Sequence, residues 1–172
     1  MKLDITLDQL EKDIKQAYRS ALLKGYAGTN GKRRLPDLPG TKITRSDDGR
    51  YSVIDFWFTI TGSPESFGHT LVYRDDILVW KLDYEGWYDE EVLPFLKEAL
   101  AENLNQEGFC GGRGPETYER GDLIYTNSCG PKTWWRCFSG REEIRLRTEG
   151  EQLATRLRGE HRFDGKLMIK LE

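Results

Sequence analysis

The sequence predicts an α+β protein. Its expected form is a duplicated unit, each copy a helix followed by three or four antiparallel strands, with the helices packed on the sheet and a pseudo-twofold axis between the copies. Three observations carry this expectation. Two stretches repeat apolar residues at helical spacing. Each is followed by a Gly-aromatic-x-Gly loop, Gly25-Tyr26-Ala27-Gly28 and Gly108-Phe109-Cys110-Gly111. The hairpin rhythm of residues 66–86 recurs over residues 137–160. The expected organisation is one domain spanning residues 1–172, with repeats over about 1–86 and 87–172.

Each element has a local reason. Leu7, Leu10, Ile14, Ala17, Tyr18 and Ala21 form an apolar stripe over residues 6–24, the period of an amphipathic helix. Thr6 and Gln9 fit a capping box at its start, and Gly25 suits a left-handed stop. The loop over residues 26–40 is broken by glycine and proline. Tyr51 to Ile60 alternates Ile54, Phe56, Phe58 and Ile60 with Tyr51, Val53, Asp55 and Trp57. Both faces are largely apolar, which predicts a central strand. A hairpin follows, with strands near 69–74 and 77–84, and then a second helix near 92–104 with Pro94 in its first turn. The remaining strands are expected near 122–127, 134–139, 143–147, 152–158 and 166–171.

Composition narrows the function classes. A chain of 172 residues buries roughly 70% of its unfolded surface, so it folds without disulfides or a structural metal. Net charge is −3, which disfavours nucleic acid and anionic membranes. The charge is uneven: residues 131–172 carry ten Lys and Arg against seven Asp and Glu. No apolar run approaches the roughly 18 residues of a membrane span. The acidic N-terminus, MKLDITLDQLEKD, lacks the apolar stretch of a signal peptide. A cytoplasmic protein is expected. Cys110, Cys129 and Cys137 have neither the number nor the spacing of a disulfide framework or zinc site. No metal and no cofactor are expected.

The candidate binding residues are mainly cationic and aromatic. Gly112 and Arg113 lie in a glycine-rich turn whose backbone N–H groups suit an anion nest, with Arg113 as clamp. The alternative is a turn with Arg113 paired to an acidic side chain. It is not a P-loop, since no Gly-Lys-Ser/Thr follows. In a hairpin over 143–158 with a four-residue loop, Arg145, Arg147, Arg156 and Arg158 share one outward face. That register sets Glu143 opposite Arg156 and leaves the other three arginines without evident partners. Trp80, Tyr84, Trp87, Trp134 and Trp135 form an aromatic surplus; rings beside arginines stack nucleobases, and rings on a strand face pack a core. Asp55, mid-strand in apolar surroundings, needs a partner there, and burial would shift its pKa. His69 and His161 belong to no catalytic spacing.

Several motifs together resemble a family. Val79-Trp80-Lys81-Leu82-Asp83-Tyr84-Glu85-Gly86 is similar to the VW-x-M-x-Y-x-G signature of a bacterial domain of unknown function, with Leu82 in place of Met. Phe95-Leu96-Lys97-Glu98-Ala99-Leu100 resembles the helix that follows it in that family. Arg113-Gly114-Pro115 with Tyr118 resembles its RGP-x-x-Y loop, Phe138-Ser139-Gly140-Arg141-Glu142 its F-x-G-x-E turn, and Tyr26-Ala27-Gly28 its early loop. His69 and Thr70 stand where an acidic residue is usual, and the segment 29–48 is rich in Lys and Arg. The family is sometimes fused to a repressor-type helix-turn-helix. The resemblance implies a fold and a sensing or binding context, and no chemistry.

The leading expectation is a non-enzymatic module that captures or senses a small anionic, nucleotide-like ligand in a groove between the repeats. The alternatives are a protein-interaction or inhibitor protein that meets an acidic surface with its arginine face, and a hydrolase using Asp55 or Glu142 as base.

Overall fold

In a computed structural model, residues 4–25, 31–105, 113–130, 136–148 and 154–169 are described. Helix α1 spans Leu7–Lys24. Strands β1 (Arg33–Arg34), β2 (Thr41–Asp48), β3 (Tyr51–Thr59), β4 (Glu65–Arg74) and β5 (Ile77–Tyr88) follow. A 3-10 turn over Glu90–Val92 leads into helix α2 (Leu93–Asn105). The chain then forms β6 (Thr117–Arg120), β7 (Leu123–Cys129), β8 (Cys137–Arg147) and β9 (Thr155–Leu167). All nine strands join one antiparallel sheet in the order β1-β2-β3-β4-β5-β9-β8-β7-β6.

The expected α+β duplication is therefore corrected. Among the described residues the protein is mainly β: one nine-stranded sheet carrying two helices, not two helix-plus-sheet units. The physical reason is continuity. Strands β5 and β9 pair over nine residues, from Trp80 with Leu167 to Tyr88 with Gly159. Their ladder leaves no break at which separate sheets could be divided.

Local chemistry explains where elements start and stop. The Thr6 side chain accepts from the Gln9 N–H at 3.3 Å, capping α1. Gly25 closes it through an N–H bond to the Ala21 carbonyl. The β4–β5 turn has two central residues, Asp75 and Asp76, with φ of 49° and 63°. Positive φ at both positions is what a type I′ hairpin turn demands, and Asp tolerates it better than most residues. Arg50 steadies the turn by pairing with Asp75.

Strand β3 is central, hydrogen-bonded to β2 and β4. It turns Val53, Asp55 and Trp57 inward. Both helices lie over this inner face and touch each other. Leu10, Ile14, Tyr18 and Leu22 of α1 pack on Val53, Trp57, Val72, Val79, Trp80 and Leu82. Phe95, Leu96, Ala99 and Leu100 of α2 pack on Tyr88, Tyr125 and Ile144. These buried side chains form two clusters on one sheet.

The C-terminal strands are longer and fewer than predicted. The expected strands near 134–139 and 143–147 belong to one strand, β8, and β9 runs through the expected breaks after 158 and before 166. The misleading residues are glycines that sit mid-strand beneath aromatic rings. A Cβ on Gly68 would lie 2.6 Å from the Tyr84 hydroxyl and 2.6 Å from the Phe56 carbonyl oxygen. At Gly140 a Cβ would drive into the Phe163 ring and the Ser128 carbonyl, at Gly165 into the Phe138 ring, and at Gly159 into the Tyr88 ring. The missing side chains are the space in which these rings lie. Gly140→Ala is expected to lower stability by about 1–3 kcal/mol, the usual cost of overpacking, because a rigid backbone carbonyl stands on one side of the site. Urea denaturation of the variant measures it; an unchanged midpoint would show that the ring and strand relax freely.

Candidate functional site

Between the two apolar clusters lies a buried polar network centred on Glu142 of β8, whose side chain has no exposed surface. Alternation along β8 aims Phe138, Glu142 and Ile144 at the helices. Glu142 Oε1 accepts from the Tyr88 hydroxyl at 2.9 Å and from Arg113 Nε at 3.1 Å, and Arg113 Nη2 completes the ion pair. Oε2 accepts from the Tyr125 hydroxyl at 2.7 Å. Arg113 is 4% exposed and lies over the Tyr84 ring, 4.8 Å from its centroid, a cation–π arrangement. Its Nη2 also reaches His161 Nδ1 at 3.3 Å, and His161 Nε2 lies 3.2 Å from Ser66 Oγ. The segment around Arg113 is held by Asn103 Nδ2 donating to the Arg113 carbonyl at 3.2 Å and Asn127 Nδ2 to the Gly114 carbonyl at 2.9 Å.

A second carboxylate, Asp55, is 3% exposed and accepts from the Thr70 hydroxyl at 2.8 Å and the Tyr84 hydroxyl at 3.0 Å. The two acids respond differently to burial. Desolvation raises the Asp55 pKa, against the opposing pull of the Thr70 and Tyr84 hydrogen bonds and the Arg113 charge. Desolvation acts on Glu142 in the same sense, but the Arg113 charge and the Tyr125 and Arg113 hydrogen bonds outweigh it and hold Glu142 below the usual carboxylate range. Burial, and then the adjacent Arg113 charge, push His161 down to about 3.

The network borders a cleft of about 710 Å3. One wall is β1, β2 and the residue before them, contributing Lys32, Arg33, Arg34 and Lys42. The other is the start of α2, with Leu93 and Lys97. Trp57, Tyr88, Ser63 and Ser66 also line it, and Glu65 and Glu90 are the carboxylates among its described lining residues. Arg33, Arg34, Lys42 and Lys97 form no ion pair among the described residues. Partial burial and the like charges of Lys97 and Lys42 lower the Lys32 pKa. Tyr88 and Ser66 belong to both cleft and network.

The structure distributes the candidate residues widely. Arg113 is buried against Glu142 rather than presented as an open clamp. Its partner lies 29 residues away, a spacing that no local pattern reveals. Trp80 is fully buried and Tyr84 nearly so, both in the α1 cluster. Trp87 is half-buried beside Glu85 and Arg162 on the rim of a different, shallower pocket. Gly112, Trp134 and Trp135 lie outside the described residues.

The arginine face is corrected in register and in pairing. Arg147 stands opposite Thr155, Arg145 opposite Leu157 and Glu143 opposite Glu160, with a register shift between Ile144 and Arg145. Arg145 pairs with Glu143 at 2.8 Å, Arg147 with Glu119 at 2.6 Å, and Arg158 with Asp89 and Glu91 at 2.5 and 2.6 Å. Three of the four arginines are thus neutralised within the protein, and Arg156 is exposed. Neither Asp55 nor Glu142 lines the basic cleft. Sequence reasoning missed Ser66, His161, Lys42 and Lys97; the one available signal was the Lys- and Arg-rich segment that includes Lys32, Arg33, Arg34 and Lys42.

The model of a family described as a domain of unknown function, DUF5680, matches residues 59–164, more than half of the chain. The protein belongs to that family. The match covers β4, β5, α2 and nearly all of β6–β9, including every member of the Glu142 network. Lys32, Arg33, Arg34 and Lys42 lie ahead of it. No curated protein and no solved structure matches the chain significantly. Among the described residues no helix is long and apolar enough to cross a membrane, and no cluster of His, Cys, Asp and Glu has the arrangement of a metal site.

The network sets an acid limb in stability. His161 stays neutral in the folded protein down to about pH 3, whereas the unfolded chain takes up a proton below about pH 6.5. The unfolded state then binds more protons, so stability falls with pH by up to about 1.4 kcal/mol per unit below that value. Glu142, held low, adds to the loss below its unfolded value of 4.5; Asp55, held high, works in the opposite sense. Urea melts between pH 7 and pH 5 test this, and His161→Gln is expected to flatten the slope. At neutral pH, Arg113→Met is expected to cost about 3–5 kcal/mol, because it leaves the Glu142 carboxylate buried without its counter-charge.

Proposed function

We propose that the protein is a binding module that captures a small anionic ligand in the basic cleft between β1–β3 and α2. The observation that carries this reading is the charge imbalance of the cleft: among its described lining residues five cations, Lys32, Arg33, Arg34, Lys42 and Lys97, converge on one concave space with two carboxylates, Glu65 and Glu90. Cations gathered around a cleft with low-dielectric walls raise the local concentration of anions. The cleft volume of about 710 Å3 is within the range of roughly 300–1,000 Å3 that small-molecule sites occupy. Trp57 and Tyr88 line the cleft beside the charge, although both are largely buried in the core clusters. A sensing role accords with the helix-turn-helix fusions that the family resemblance implies.

The competing readings have less support. An arginine face for an acidic protein partner would need unneutralised arginines, and Arg145, Arg147 and Arg158 already hold carboxylates. A hydrolase base would need access to substrate, and Asp55 and Glu142 are buried and already accept hydrogen bonds from side chains inside the protein.

Thermal-shift and calorimetric screening against inorganic phosphate, sugar phosphates and nucleoside phosphates tests the proposal. At least one of these anions is expected to raise the melting temperature. Lys42→Glu combined with Lys97→Glu is expected to weaken its binding by more than tenfold and to flatten its salt dependence. Absence of binding by every anion, or unchanged affinity in the double variant, would refute the proposal.

A further inference from the structure

The cleft and the buried network share Ser66, and the network dictates which way its hydroxyl points. A guanidinium carries donors and no acceptor. The Arg113 Nη2 contact to His161 Nδ1 at 3.3 Å is a hydrogen bond only if Nδ1 is the acceptor. A neutral imidazole has one N–H, so in His161 it resides on Nε2. Protonating both nitrogens would set an imidazolium N–H against the guanidinium in a buried site, and the histidine stays neutral instead. Nε2–H therefore donates to Ser66 Oγ across 3.2 Å. The Ser66 oxygen is occupied as an acceptor, and its own proton must point elsewhere. Ser66 has no other hydrogen-bond partner among the described residues, and it lines the cleft.

We infer that Ser66 is the hydrogen-bond donor that reads the ligand, oriented by the chain Arg113→His161→Ser66, and that the ligand is an oxyanion carrying two or more phosphate-type groups. This rests on the anion-cleft reading and deepens it. Among the described lining residues cations outnumber carboxylates five to two, an excess that favours a multiply charged anion over a singly charged one. Cations from two elements, Lys97 on α2 and the β1–β2 residues, line the same cleft, so a ligand with more than one charged group meets both. Ser66 adds a neutral donor where the cleft meets the network, and an oxyanion oxygen there replaces the water that a lone hydroxyl would otherwise bind.

The same proton assignment separates this site from a serine hydrolase. Ser66, His161 and a nearby acid, Glu142, are the residue types of a nucleophilic triad. In such a triad the histidine donates Nδ1–H to the carboxylate and keeps Nε2 open to take the serine proton. Here Arg113 stands between His161 and Glu142, which reverses the tautomer. His161 Nε2 already holds a proton and cannot accept another from Ser66. The trio serves binding and gives no activated nucleophile.

The test uses the full chain with pyrophosphate as probe and inorganic phosphate as reference. Wild type is expected to bind pyrophosphate at least tenfold more tightly than phosphate. Ser66→Ala is expected to weaken pyrophosphate roughly 10- to 100-fold, as loss of a hydrogen bond to a charged group does, while Ser66→Thr, which keeps the hydroxyl, retains most of the affinity. Nitrogen-15 NMR of the His161 ring is expected to show the Nε2–H tautomer in wild type and in Ser66→Ala, a readout independent of ligand. An Nδ1–H tautomer would overturn the donor chain. Unchanged pyrophosphate affinity in Ser66→Ala, with loss in Lys42→Glu, would overturn the role of Ser66 and leave the cleft reading standing. Equal affinity for phosphate and pyrophosphate would overturn the ligand class. Failure of wild type to bind either probe would overturn this inference, and if no other anion bound, the cleft reading with it.

Discussion

A single ionised carboxylate in the interior organises this protein. Glu142 has no exposed surface, yet Arg113, Tyr88 and Tyr125 all donate to it. Removing a charge from water costs several kcal/mol even after relaxation, and the cost is offset only when the counter-charge and hydrogen bonds are nearly complete. That demand fixes the relative positions of β5, β7, β8 and the segment at Arg113. His161 then holds Arg113 from β9. An apolar residue at the Glu142 position would permit tight packing, but it would not specify which tyrosine hydroxyls and which arginine must converge there.

The remainder of the inner face interlocks glycine with aromatic rings. Phe138 lies over Gly165, Phe163 over Gly140, Tyr88 over Gly159 and Tyr84 over Gly68. Each ring crosses to a neighbouring strand where the missing side chain leaves room, so large residues are buried without pushing the helices off the sheet. Tyr84 and Tyr88 serve both systems. Each packs over a glycine, and each directs its hydroxyl to a buried carboxylate, Asp55 for one and Glu142 for the other. The packing of the sheet and the placement of its charges are thus one problem with one solution.

This dual use explains what could and could not be read in advance. Helix α1 was legible because its stripe, its Thr6 cap and Gly25 agree with one another. Strand β3 was legible as central because both of its faces are apolar. Gly140 and Gly159 were misread as turn residues, since glycine marks a bend and a seat for a ring with the same letter; the partner rings, Phe163 and Tyr88, lie far away in sequence. Arg113 was seen as a candidate, and the choice between an anion clamp and an acidic partner depended on Glu142, which only the fold brings within reach. The cleft was the least legible feature. Its Lys32–Lys42 wall stood out as a basic segment, whereas Lys97 sits on a helix that sequence reasoning assigned to packing alone.

The ends of the sheet have their own consequence. The described edge strands are short: β1 has two residues, both arginine, and β6 has four, Thr117 to Arg120, with Glu119 and Arg120 among them. A nine-stranded sheet with long bare margins would offer its unpaired amide and carbonyl groups as a template for another chain. Among the described residues β1 covers only Lys42 and Ile43, so the polar run from Thr44 to Asp48 forms much of that margin. Polar and charged margins of this kind discourage edge-to-edge addition of another chain.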